Sequence, residues 1–98
     1  MAAYVVASFH ITDQAGYDAY RLAVFPTLMA HGAKILAADY ASEAIEGEPN
    51  HVTVILEFAS KAAALAWYNS PEYQAIVHLR TDSSTGTVVL ADQWSPPQ

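Results

Sequence analysis

The sequence predicts an α+β domain in which helices cover one face of a four-stranded antiparallel sheet. Three observations carry that prediction. Four short segments are rich in β-branched and aromatic residues. Helical spacing fills two of the gaps between them. No linker, repeat or low-complexity block divides the 98 residues, so they form one domain, 1–98, with only the tail 95–98, "SPPQ", expected to be loose.

The elements follow in order. "AYVVASFHI" (3–11) is the first strand. Asp13 then stands where a helix N-cap belongs, and Tyr17, Tyr20, Arg21, Val24 and Leu28 repeat at helical intervals. Pro26 has no N–H to donate, so a kink or restart is expected near Phe25. Gly32 ends this helix. "KILAADY" (34–40) is the second strand, "ASEAIEGEPN" a loop, and "HVTVILEF" (51–58) the third, very apolar strand. Ser60 caps a short helix carrying Ala63, Ala66 and Trp67. Pro71 would break a helix running on to Arg80, but Asn69-Ser70-Pro71-Glu72 reads as a stop and a new start. Ser70 is a good cap, Pro71 loses nothing at the first helical position, and Glu72 suits the positive end of the helix dipole. "TGTVVLADQW" (85–94) is the last strand. The order is β-α-β-β-α-α-β, the ferredoxin-like arrangement.

Composition sets outer limits on function. The chain is 53% apolar and 14% charged, which excludes disorder. Its formal charge of −6, with only Arg21, Lys34, Lys61 and Arg80 as fixed cations, argues against nucleic acid and against acidic membrane surfaces. There is no cysteine, so disulfides and thiolate chemistry are excluded. No targeting segment or membrane-length apolar run is visible, and the cytoplasm is the default location. His10, His31, His51 and His78 are at least twenty residues apart, without the close spacing of a helical or hairpin metal site. No glycine-rich phosphate loop is present, and no cofactor is expected.

The strand faces raise a question of assembly. Tyr4, Val6, Ser8 and His10 share one side of the first strand, and Val5, Ala7, Phe9 and Ile11 the other. In the third, Val52, Val54, Leu56 and Phe58 oppose Thr53, Ile55 and Glu57. Neither second face is charged as a solvated one would be, and a second copy of the sheet is the simplest cover. A monomer with an apolar sheet face is the other reading.

"ITDQAGYDAY", "HGAKILAAD", "AIEGEPNHVTVILEFAS" and "AWYNSPEYQAIVHLR" resemble the family catalogued as domain of unknown function 1330. The resemblance runs from about Tyr4 to Ala91. Its most specific parts are Glu46-Gly47, Glu57-Phe58 with Ser60, Trp67-Tyr68, Ser70-Pro71-Glu72-Tyr73 and Arg80. It implies a dimeric α/β barrel made from two ferredoxin-like sheets. The wider group holds small monooxygenases, isomerases and binding or stress proteins. Two departures stand out. Gly32-Ala33 replaces a frequent Gly-Gly, and Ala38-Asp39 replaces an Arg-Gly pair, which leaves the second strand without that cation.

Six residues are candidates for a site, each with a structural alternative. Arg80 shares a helical stripe with Tyr73, Ile76 and Val77, where a guanidinium can clamp a carboxylate or pair internally with Glu57 or Glu46. Glu57, a carboxylate in an apolar strand, suits acid–base work or a salt bridge. His10 suits a base near neutral pH or a strand-end hydrogen bond. Tyr20, Trp67 and Tyr73 suit ligand platforms or core packing. Two functional classes follow. One is a cofactor-independent isomerase or oxygenase acting on a small, partly aromatic acid, with Arg80 holding the anion and His10 or Glu57 moving a proton. The other is a non-catalytic binding or structural homodimer.

Overall fold

The computed structural model describes residues 1–97. Its strands are β1 (Ala3–Ile11), β2 (Lys34–Asp39), β3 (Val52–Phe58) and β4 (Ser84–Asp92), in the spatial order β2-β3-β1-β4 with every pairing antiparallel. The helices are α1 (Gln14–Ala30), α2 (Lys61–Tyr68), α3 (Pro71–Gln74) and α4 (Val77–Thr81). This is the expected four-stranded α+β architecture of ferredoxin-like topology.

Register decides which side chains meet the helices. Val5 pairs with Leu56 and Leu90, Ala7 with Val54 and Val88, and Phe9 with Val52 and Gly86. Directly paired residues share a face, so this set lies under the helical layer, where Val5, Ala7, Phe9, Val52 and Leu56 are buried. Gly86, with φ +154°, belongs to that pairing because a Cβ there would collide with the Ser8 carbonyl. The opposite face carries Tyr4, Val6, Ile55 and Val89, with no helix over it. Tyr4, Val6 and Ile55 are part-exposed and Val89 is 54% exposed. The chain is a slab only 16 Å thick, one sheet and one helical layer.

Three local details depart from the sequence reading. Asp13 holds the N-cap position in extended conformation, but its side chain makes no cap hydrogen bond. Its carbonyl accepts from the Tyr17 N–H at 3.1 Å instead. Helix α1 runs on through Pro26 without a restart. The carbonyl that loses its partner there is that of Leu22, on the solvent side, where water can replace the missing N–H. The segment from Pro71 to Arg80 is two short helices, because Ile76 at φ −118° interrupts the regular dihedrals. The Ser70 start forms as expected, with the Tyr73 N–H donating to Ser70 Oγ at 3.2 Å and Pro71 in the first turn. Residues 95–97 of the tail carry no regular structure, and residue 98 lies outside the described residues.

Helix α2 lies close over β1, β3 and β4, whereas α1 takes its nearest backbone neighbours from α3 and α4. Helix α1 therefore stands off the sheet, and a cavity opens beneath it. No helix among the described residues is long and apolar enough to cross a membrane.

Candidate functional site

The cavity between α1 and the sheet has a volume of about 200 Å³. Its floor is Val5, Ala7, Phe9, Val54 and Leu56. Its far wall comes from α2, α3 and α4, which contribute Trp67, Tyr73 and Arg80. Tyr17, Tyr20 and Arg21 come from the near wall, α1, and Tyr40 from just past β2. Four of the six expected site residues, Arg80, Tyr73, Tyr20 and Trp67, thus line one hollow.

Arg80 is the unusual member. It is only 8% exposed, yet it forms no ion pair among the described residues. Its guanidinium carbon lies 4.9 Å from the centre of the Phe9 ring and 6.0 Å from that of Tyr20. These aromatic faces offset part of its desolvation. Its Nε is buried without a hydrogen-bond partner. Burial by itself would lower its pKa, but the neighbouring Tyr73 and Tyr20 hydroxyls more than offset this, so Arg80 stays a cation. Its backbone is fixed independently of the guanidinium. The Ser84 hydroxyl donates to the Arg80 carbonyl at 2.7 Å, and the Ser83 N–H does so at 3.1 Å.

Besides the Arg21 guanidinium, the remaining polar groups are phenols and one indole. The Tyr20 and Tyr73 hydroxyls are 2.9 Å apart. Burial and the Tyr73 neighbour raise the Tyr20 pKa far above that of a free phenol, and burial pushes Tyr17 up to about 12. Tyr20 and Tyr17 therefore stay protonated, poor as bases. The Trp67 N–H donates to Thr27 Oγ1 at 3.0 Å, and Thr27 in turn donates to the Val24 carbonyl at 2.7 Å. Trp67 is therefore a fixed wall, its ring centre 4.2 Å from that of Tyr73 with the planes inclined by 43°.

His10 and Glu57 are not in this hollow. The side-chain alternation that turns Phe9 and Leu56 toward the helices turns His10 and Glu57 to the open sheet face. There Glu57 sits opposite Tyr4 and meets Lys34 at 3.7 Å, and it never reaches Arg80. The Glu57 carboxylate raises the Tyr4 pKa, behind a larger contribution from desolvation. Glu46, the other acid considered for Arg80, is exposed in the β2–β3 loop. His10 meets His51 across the sheet, Nδ1 to Nδ1 at 3.1 Å with the rings edge-on, a contact that 41 residues of separation conceal in the sequence.

Among the lining residues that sequence reasoning missed are Phe9, Tyr17, Arg21 and Tyr40. A signal for two of them existed, since Tyr17 and Arg21 share the helical stripe of Tyr20. Phe9 and Tyr40 needed the strand register.

Similarity to solved structures agrees with this architecture. The protein of unknown function RPA0582 from Rhodopseudomonas palustris superposes with a TM-score of 0.78 at 15% identity, covering 97% of this chain and 84% of its own. A dimeric protein of unknown function and ferredoxin-like fold from Bacteroides fragilis gives 0.65 at 12% identity, covering 94% and 96%. SnoaB, a cofactor-independent oxygenase from Streptomyces nogalater, gives 0.60 at 12% identity, covering 99% and 98%. At these identities the likeness is one of fold. No curated protein matches the chain with significance. The family model for Domain of unknown function (DUF1330) matches residues 2–94, nearly the whole chain, and the protein belongs to that family.

Proposed function

We propose that this protein binds a small organic anion with an apolar, partly aromatic body, and that it does so as a homodimer. One observation carries the ligand. Arg80 is buried at the wall of a hollow with no carboxylate to neutralise it among the described residues. Phenol and aromatic neighbours hold the cation in place, but no opposite charge faces it, and a bound carboxylate would supply one through charge-assisted hydrogen bonds. The Tyr20–Tyr73 hydroxyl pair stands beside it, with one O–H engaged between the two and the other free to donate, and the aromatic and aliphatic lining suits the rest of the ligand. Titration of labelled protein with benzoate and with benzyl alcohol tests this reading. Amide shifts around the cavity are expected with the acid and not with the alcohol. Equal response to both, or to neither, overturns it.

The homodimer rests on the open sheet face, with its apolar centre of Tyr4, Val6, Ile55 and Val89. The Bacteroides fragilis neighbour is described as dimeric, which supports the same arrangement. A stable interface of this kind buries more than roughly 1,000 Å².

A catalytic reading follows from the Tyr20–Tyr73 hydroxyl pair, a hydrogen-bonding element next to Arg80, and from the fold shared with a cofactor-independent oxygenase. An isomerase or oxygenase needs a proton acceptor near neutral pH. His10 and Glu57 were the candidates, and both face away from the hollow. The catalytic reading therefore requires a substrate that arrives already ionised, and binding takes precedence.

A further inference from the structure

We infer that the ligand is a diacid: a flat, unsaturated or aromatic body with one acidic group at Arg80 and a second at Arg21. The inference rests on the anion-site reading of the cavity and adds the second charge to it.

The distribution of cations is the first argument. In a chain of net charge −6, the four fixed cations divide by type. Lys34 and Lys61 form surface ion pairs with Glu57 and Asp92, at 3.7 and 3.6 Å. The only two arginines, Arg21 and Arg80, both line the cavity. The planar guanidinium fork matches carboxylate geometry in a way that an ammonium does not.

Their placement is the second argument. Arg80 stacks on Phe9 at 4.9 Å, and Arg21 stacks on Tyr40 at 4.5 Å. Phe9 and Tyr40 both pack edge-on against Tyr17, at 6.3 and 6.1 Å. The two guanidiniums therefore flank the same phenol. Both are felt there, each lowering a Tyr17 pKa that burial raises more strongly. Arg80 is the buried end of the pair. The Arg21 side chain is 49% exposed, at the mouth. Its present partner, Asp18, lies at 3.5 Å and is itself half-exposed. Such a pair is weak and readily exchanged for a ligand carboxylate.

The experiment uses three probes with one body: benzene-1,4-dicarboxylate, its monomethyl ester, and the uncharged dimethyl ester, titrated calorimetrically at low salt. The wild type is expected to bind the diacid roughly two- to fivefold tighter than the monoester, the size of effect one added partly exposed ion pair gives. That ratio should fall toward one in Arg21→Gln, remain partly in Arg21→Lys, and shrink as salt is raised. Unchanged melting curves would show that Arg21→Gln remains folded. A ratio of one in the wild type, or a ratio unaffected by Arg21→Gln, overturns the diacid while leaving monoester binding at Arg80 intact. If the dimethyl ester binds as well as the charged probes, or none of the three binds, the anion-site reading falls with it.

Discussion

The hydroxyls of Tyr20 and Tyr73 meet at 2.9 Å, tying α1 to α3 at the wall of the cavity. Both side chains are buried, so each hydroxyl is the other's chief means of satisfying its hydrogen-bonding capacity. Tyr73→Phe leaves the Tyr20 hydroxyl buried without that partner and is expected to cost about 1–3 kcal/mol. Tyr20→Phe in the same background restores symmetry, so the double variant should be less destabilised than the sum of the singles. Urea unfolding of all four proteins measures the coupling. Strict additivity would show that the two hydroxyls do not interact.

Alkaline pH should expose the same buried phenols. Tyr17 is pushed up to about 12 by burial, and Tyr20 is shifted in the same direction. In the unfolded chain both ionise near pH 10. Above that pH the unfolded state releases protons that the folded state keeps, so it binds fewer protons and stability falls as pH rises. The phenol contribution is therefore intact below about pH 10. It should be lost between about 10 and 12 for Tyr17, at up to about 1.4 kcal/mol per pH unit for each group. Denaturant midpoints over this range, followed with tyrosinate absorbance, check it. A midpoint flat across that interval would contradict the burial of these phenols.

Much of this architecture is legible in the sequence because it is local. Ser70 and Pro71 announce a helix start through their own chemistry, and the structure uses them that way. Tyr20, Trp67, Tyr73 and Arg80 occupy sheet-facing helical positions, and those positions converge on one cavity. What stays hidden is non-local. Alternation separates His10 from Phe9 and Glu57 from Leu56, but it does not say which set the helices cover. That depends on register across three strands. The His10–His51 contact arises from the same long-range pairing, and the stand-off of α1 from its packing against α3 and α4. Pro26 misled for a local reason with a distant remedy, since the unpartnered Leu22 carbonyl faces solvent.

Ser70 makes two hydrogen bonds through one oxygen. It accepts from the Tyr73 N–H at 3.2 Å and donates to the Trp67 carbonyl at 2.7 Å. Ser70→Ala leaves both backbone groups without those partners at a position only 5% exposed. The expected loss is about 1–2 kcal/mol, at or above that of an ordinary N-cap. Because the same turn positions Tyr73, benzoate affinity should fall as well. A thermal melt indistinguishable from wild type would remove the cap.

The dimer is tested from the open face. Val89 is 54% exposed in the protomer and pairs with Val6 in the middle of that surface. Val89→Glu places a charge there while leaving the buried core residues Val5, Ala7, Phe9 and Leu56 unchanged. It should convert a dimer into a folded monomer, because burying an unpaired carboxylate costs more than the apolar contact returns. Light scattering gives the mass and circular dichroism the fold. A wild-type protein already monomeric at micromolar concentration would refute the homodimer directly.

Arg80→Met separates the ligand role from a structural one. Methionine keeps part of the stem's volume and removes the charge. Had Arg80 been locked to Glu57 or Glu46, the change would orphan a buried carboxylate and cost about 3–5 kcal/mol. Glu57 instead meets Lys34 on the other face of the sheet, and Glu46 is exposed. What the variant gives up is aromatic contact at 4.9 Å, and what it removes is an unpartnered Nε and a desolvated charge. These oppose one another, so stability should hold within about 1 kcal/mol or rise. Affinity for benzoate should fall by about 2–3 kcal/mol, a loss of roughly 30- to 150-fold, as expected when a charge-assisted anchor is deleted. Melting curves and calorimetry on the two proteins give both quantities. A variant that melts far below wild type while binding benzoate no less tightly would make Arg80 part of the scaffold rather than of the site.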